Sequence, residues 1–106
     1  MYRLIAAIIK RGKADDLIDA AKQAGVTGAT IFFARGTSIH EPNPFLGIRL
    51  TSEREVVFMV VKQENAEDLL ERLVQAGELD QPGNGIAFMF PLESVRGIVH
   101  LERKRE

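Results

Sequence analysis

Apolar and polar residues change period several times along the chain, and the changes mark its elements. Tyr2 to Ile9 is a short, nearly continuous apolar run, which predicts a buried strand. From Lys13 to Ala24 the spacing lengthens. Ala14, Leu17, Ile18, Ala21 and Ala24 fall on one helical face, while Asp15, Asp16, Asp19, Lys22 and Gln23 face away. Asp15 and Asp16 stand in the first turn, where the helix dipole favours negative charge, and Gly25 is the expected stop. Ala29 to Arg35, ATIFFAR, is rich in β-branched and aromatic residues and predicts a second strand. Gly36 to Glu53 has two prolines and no sustained period. Irregular connections of that length in a small domain usually carry function.

Arg54 to Lys62, REVVFMVVK, is the strongest strand pattern, and its run from Val56 to Val61 suggests cover on both faces. Asn65 is a suitable cap for a second helix from Ala66 to about Ala76, with Ala66, Leu69, Leu70, Leu73 and Val74 as its apolar stripe. IAFMFPL follows as a fourth strand, which Pro91 should end or push to a sheet edge. VRGIVHL predicts a short last strand, and ERKRE reads as a solvated tail. The order is β-α-β-β-α-β. That is the split, ferredoxin-like α+β pattern, an antiparallel sheet with two helices on one face and a short extra C-terminal strand.

Length and composition narrow the function classes. The 106 residues make a single domain over 1–106, with a modest core. Formal net charge is -1, from 14 basic and 15 acidic residues. This balance argues against a protein built to grip nucleic acid, which needs a basic face. The chain has no cysteine, so disulfides, thiolate metal sites and cysteine nucleophiles are absent. Neither a secretory leader nor a run of roughly 20 apolar residues is visible, so a cytoplasmic location is the expectation.

Candidate chemistry is sparse. His40 and His100 are the only histidines, and neither has a second ligand at helical or strand spacing. Ser38, Ser52 and Ser94 lack a surrounding His/Asp signature. Catalysis therefore has no visible apparatus, and the chain is expected not to be an enzyme. One enzymatic alternative is an acylphosphatase-like hydrolase with Arg11 and Gly12 in an anion loop, although its Asn partner is not apparent. Two loop segments remain. Gly83-Asn84-Gly85 is a tight turn and a candidate phosphate cradle, since successive glycine N–H groups suit an anion. The long connection sets Phe45, Leu46, Ile48 and Leu50 in a polar context, either folded onto their own core or offered to a partner.

Three stretches in this order resemble the P-II signalling proteins over nearly the whole chain. AGVTGATI, ending at Ile31, is similar to that family's Gly-Ile-Thr-Gly-Met-Thr entry into the second strand. The segment 36–53 stands at the place of the T-loop. GNGIAF, Gly83 to Phe88, stands at the place of the B-loop, which here spans 77–86. The resemblance implies a cytoplasmic homotrimer with a small-molecule effector, ATP or ADP in the family, bound between subunits. It also implies a T-loop that docks onto a membrane transporter or metabolic enzyme, with no nucleic acid involved.

By position, the resemblance makes Thr30, Gly36, Gly83, Asn84 and Gly85 the nucleotide-binding residues, and His40, Phe45, Leu46 and Ile48 the partner-binding ones. His40 replaces a loop glutamine that helps hold Mg2+ and 2-oxoglutarate, which makes it the candidate metal ligand. The family's B-loop lysine is replaced by Ile86, and its last-strand arginines by Gly97 and Val99; Arg96 is one residue out of step. AMP or ADP is therefore expected to suit the site better than ATP, with or without Mg2+. A CutA-like trimer that binds a metal or serves a structural role shares the topology and is the alternative.

Overall fold

The computed structural model describes residues 1–36 and 52–98. Their order is β1 (Tyr2–Lys10), α1 (Ala14–Gln23), β2 (Thr30–Gly36), β3 (Ser52–Lys62), α2 (Gln63–Gly77) and β4 (Gly85–Leu92). The strands form one antiparallel sheet in the order β2-β3-β1-β4. This is the expected ferredoxin-like architecture. Pro91 lies inside β4, opposite Arg3, and β4 is an edge strand, where a missing donor is tolerated.

Strand periodicity divides the sheet into two faces. Ile5, Ala7 and Ile9 of β1 and Val57, Met59 and Val61 of β3 point to the helices. They meet Ala14, Leu17 and Ala21 of α1 and Ala66, Leu69 and Leu73 of α2 in one buried cluster. These helical residues are the apolar stripes read from the 3.6-residue period, and burying them is what holds each helix in place.

Local chemistry sets the helix ends. α1 closes with the N–H of Gly25 bonded to Lys22 O and that of Val26 to Ala21 O. Gly25 takes φ 95° there, so its lack of a side chain is used. α2 closes by the same bonds one turn pattern later, Glu78 N–H to Gln75 O and Leu79 N–H to Val74 O. Here the left-handed residue is Glu78, at φ 52°, and Gly77 remains helical. Gly77 has another purpose. A Cβ at that position would come within 3.0 Å of Leu17 Cδ1, so the glycine allows α1 and α2 to approach.

Three expectations change. α2 starts at Gln63, with Lys62 as its cap residue, so Asn65 is inside the helix and does not cap it. The strand hands over directly to the helix because the Gln63 N–H is satisfied by Met1 O at 3.1 Å, a long-range bond invisible to local pattern. β3 is covered by helices on one face only. On its other face Val56 is buried, while Phe58 and Val60 are half-buried among neighbouring strands. The predicted last strand is not formed over 95–98, although Ile98 is buried. Residues 99–101, the rest of that segment, lie outside the described residues.

Candidate functional site

The face away from the helices is apolar but uncovered. The strand register sorts it into rows. Phe32, Val56, Ile8 and Ile86 form one row, and Thr30, Phe58, Ala6 and Phe88 form the next. Val60, Leu4 and Phe90 follow. Phe32 meets Phe58 edge-on with ring centroids 5.2 Å apart, and Phe88 stacks beside Phe90 at 6.4 Å. Yet Ile86 is 58% exposed and Phe90 44%, against 1% for Met59 on the other face.

Thr30 is the first residue of β2, exposed and directed to this open face opposite Phe58. Gly36 is the last residue of the same strand, paired with Ser52. A Cβ at Gly36 would meet Arg54 Cγ at 3.4 Å, so the arginine side chain lies along the bare backbone.

The glycine turn is at the other side of the sheet. Gly83 takes φ 82° and Gly85 φ 140°. A Cβ on Gly85 would stand 2.3 Å from Ile8 O and 2.9 Å from Ile9 Cα, so only glycine lets β4 begin against β1. Asn84 is committed to the turn. Its side-chain amide donates to Glu78 O at 2.8 Å, its backbone N–H donates to Gln81 O, and its carbonyl accepts from Lys10 N–H. The side chain of Asn84 thus ties the end of α2 to the start of β4. Its own geometry accounts for the turn.

β2 and β4 are opposite edges of the sheet, three strand spacings apart, or roughly 14 Å at about 4.8 Å per spacing. Thr30 and Gly36 on one edge are therefore separated within one chain from Gly83, Asn84 and Gly85 on the other. His40, Phe45, Leu46 and Ile48 lie outside the described residues. So does most of the T-loop-like segment, and so does His100.

One feature escaped the sequence reading. Glu55 Oε1 accepts the N–H groups of both Gly12 and Ala14 at 2.9 Å each. The α1 cap residue, Lys13, makes no side-chain capping bond, and the carboxylate from β3 substitutes for it. The hint was a pair of acids, Glu53 and Glu55, leading into an apolar strand. Arg11, the candidate anion-loop arginine, is ion-paired with Glu53. The place an acyl phosphate would take after β1 is thus filled by the protein's own carboxylate.

Arg96 is also reassigned. It is not on a strand, so its one-residue offset says nothing about the face it presents; its guanidinium donates to Ser94 Oγ and Val95 O. Among the described residues no group of three or more His, Asp or Glu side chains is arranged to hold a metal ion, and no helix is long and apolar enough to cross a membrane.

The family described as "Nitrogen regulatory protein P-II" matches residues 2–102. Its members are non-enzymatic signal-transduction regulators, typically trimers that act on partner proteins. The match runs from the first residue of β1 past the last described residue and takes in both glycine segments and the connection between β2 and β3. With this coverage and a ferredoxin-like α+β fold, the chain belongs to the P-II family.

Proposed function

We propose that this chain is a P-II-like sensor. It binds a small anionic effector, an adenine nucleotide, in clefts between copies of a cytoplasmic homotrimer. Occupancy is passed to a membrane transporter or metabolic enzyme through the segment 36–53. The observation that carries this reading is the placement of Thr30 and Gly36 on one sheet edge and Gly83, Asn84 and Gly85 on the opposite edge. Neither group alone surrounds a ligand. A head-to-tail ring sets the β2 edge of one copy beside the β4 edge of the next and completes the site. The same ring covers the open face, whose exposed Phe88 and Phe90 are otherwise a cost to a soluble monomer.

AMP and ADP are favoured over ATP in this reading, because Ile86 brings no charge to the glycine turn. Mg2+ is optional, with His40 as its loop ligand. Phe45, Leu46 and Ile48 are the anchors offered to the regulated protein.

Sedimentation equilibrium should give a trimer. Calorimetric titration with AMP, ADP and ATP, with and without Mg2+ and 2-oxoglutarate, should show saturable binding at one site per chain. A monomer that binds no nucleotide would overturn the proposal. Deleting 40–50 should leave the trimer intact and abolish regulation of the partner. His40→Ala should weaken binding only in the presence of the metal.

A further inference from the structure

β1 ends between two strands that begin. Ile9 is opposite Gly85 of β4 on one side and Glu55 of β3 on the other, so the glycine turn and the first residues of β3 flank the same end of β1. The turn that carries β1 into α1 is bonded to both. On the β4 side, the Lys10 N–H donates to Asn84 O at 3.3 Å, and the Asn84 amide is itself fixed on Glu78 O. On the β3 side, the N–H groups of Gly12 and Ala14 donate to Glu55 Oε1 at 2.9 Å each. The exposed Arg11–Glu53 ion pair adds a weaker tie.

The turn between these contacts is closed by the Lys13 N–H on Lys10 O at 3.1 Å, with Gly12 at φ 94°. Lys10 thus bonds the glycine turn through its N–H and the α1 entry through its carbonyl. A displacement of Asn84 shifts the Lys10 peptide, and the closed turn carries Gly12 and Ala14 against Glu55. Capping alone does not call for this arrangement. A Ser or Asp at position 13 would cap α1 locally, whereas the cap in place comes from a residue 41 positions away. Glu55 stands where β3 begins, beside the ladder in which Gly36 pairs with Ser52 and Arg35 with Glu53.

We infer that the β1–α1 turn, residues 10–14, couples the glycine turn of the effector site to the start of β3, so that ordering one orders the other within a single copy. The inference deepens the sensor reading and rests on it only for what occupies the glycine turn. The carrying contacts are the main-chain bonds of Lys10, Gly12 and Ala14. The Lys13–Glu78 pair spans the same region but is largely exposed and contributes little.

The first arm of the test needs no ligand. Amide hydrogen exchange is measured on the full chain for the unaltered protein, Asn84→Ala, Glu55→Ala and the double variant, with circular dichroism to confirm folding. Asn84→Asp, which loses the amide donor and keeps the shape, replaces Asn84→Ala if that variant does not fold. Asn84→Ala should speed exchange at the glycine turn, and also at Gly12 and residues 52–55, by about fivefold, with 66–70 of α2 unchanged. In the Glu55→Ala background, adding Asn84→Ala should change 52–55 by less than about 1.5-fold, which is the coupling read as a double-mutant cycle. The second arm is calorimetric titration with ADP. Glu55→Ala should weaken ADP by about two- to fivefold, because the ligand must then order a looser turn.

Faster exchange confined to the glycine turn in Asn84→Ala would overturn the coupling and leave the sensor reading to stand on ADP binding. ADP affinity equal in Glu55→Ala and the unaltered protein would overturn the coupler's part in regulation. Coupled exchange in a protein that binds no ADP would support the coupling and refute the nucleotide.

Discussion

The two faces of the sheet are equally apolar in sequence and differ in what covers them. On the helix side, Ile5, Ile9, Val57 and Met59 are sealed by Leu17, Leu69 and Leu73, and the core is complete except at the β2 edge, where Ile31 and Phe33 stay exposed. On the open side, Phe32, Phe88, Phe90 and Ile86 keep much of their surface in contact with solvent. A strand with apolar residues at every position needs cover on both faces. The helices provide one cover, and in the proposed ring neighbouring copies provide the other. Stability of the single chain and stability of the assembly therefore reside in different residues.

The strongest way to break both faces at once is at the start of β4. Gly85→Val sets a branched side chain against Ile8 O and Ile9 Cα in a backbone conformation that L-residues rarely adopt. β4 must detach locally from β1, taking Ala87 and Met89 from one face and Ile86 and Phe88 from the other. The expected loss is about 3–5 kcal/mol, read from chemical denaturation, with poor soluble yield. An undisturbed melt would show that the turn relaxes far more easily than its contacts indicate.

Leu73→Ala and Phe88→Asp separate the faces. Leu73 is fully buried between α2 and the sheet, so its truncation should cost about 2–5 kcal/mol whatever the oligomeric state. Phe88 is 40% exposed in the single chain, so an aspartate there is tolerated by the monomer and intolerable in an apolar contact between copies. The expected result is a folded monomer by sedimentation with near-native circular dichroism. A trimer that survives Phe88→Asp would place the copies against some other surface.

A smaller effect tests how the helix layer is joined to the sheet. Glu55→Ala leaves the N–H groups of Gly12 and Ala14 without their carboxylate at the start of α1. The cost should be about 1–2 kcal/mol, the range for loss of a helix cap, because the site is only partly buried and water can replace one bond. Glu55→Gln keeps one acceptor oxygen and should recover roughly half of it. If Ala and Gln behave alike, the negative charge at the helix N-terminus matters more than the hydrogen bonds.

What could be read from the sequence follows the same division. Element order, both helical stripes and the sheet topology were legible, since hydrophobic period is a local property and the elements are long. Gly25 was legible as a stop because nothing else competes for it. Gly77 and Glu78 were not. Gly77 is the last helical residue, a Cβ there would come within 3.0 Å of Leu17 Cδ1, and the left-handed conformation falls on its neighbour Glu78. The start of α2 was misplaced for a similar reason, the bond from Gln63 to Met1. At the candidate site, the glycine turn was found by composition. That it is separated from Thr30 and Gly36 by the width of the sheet came only from the strand order.

Glu78 offers the finest test, because here a residue is held against its own preference. For an L-residue the left-handed conformation costs about 1–2 kcal/mol, and glycine avoids that cost. Glu78→Gly should therefore relieve strain, offset partly by the greater freedom glycine has in the unfolded chain. The Glu78 carboxylate is ion-paired with Lys13 at 3.6 Å, but the contact is largely exposed and its loss should cost less than about 0.5 kcal/mol. Asn84 bonds to the backbone carbonyl of residue 78, which the substitution keeps. The net expectation is a gain of about 0.5–1 kcal/mol by chemical denaturation, with ligand affinity unchanged. A loss of stability would mean that the Lys13–Glu78 pair joins α1 to the end of α2 more firmly than its exposure indicates. The helix layer would then be secured at that end by charge as well as by the close approach at Gly77.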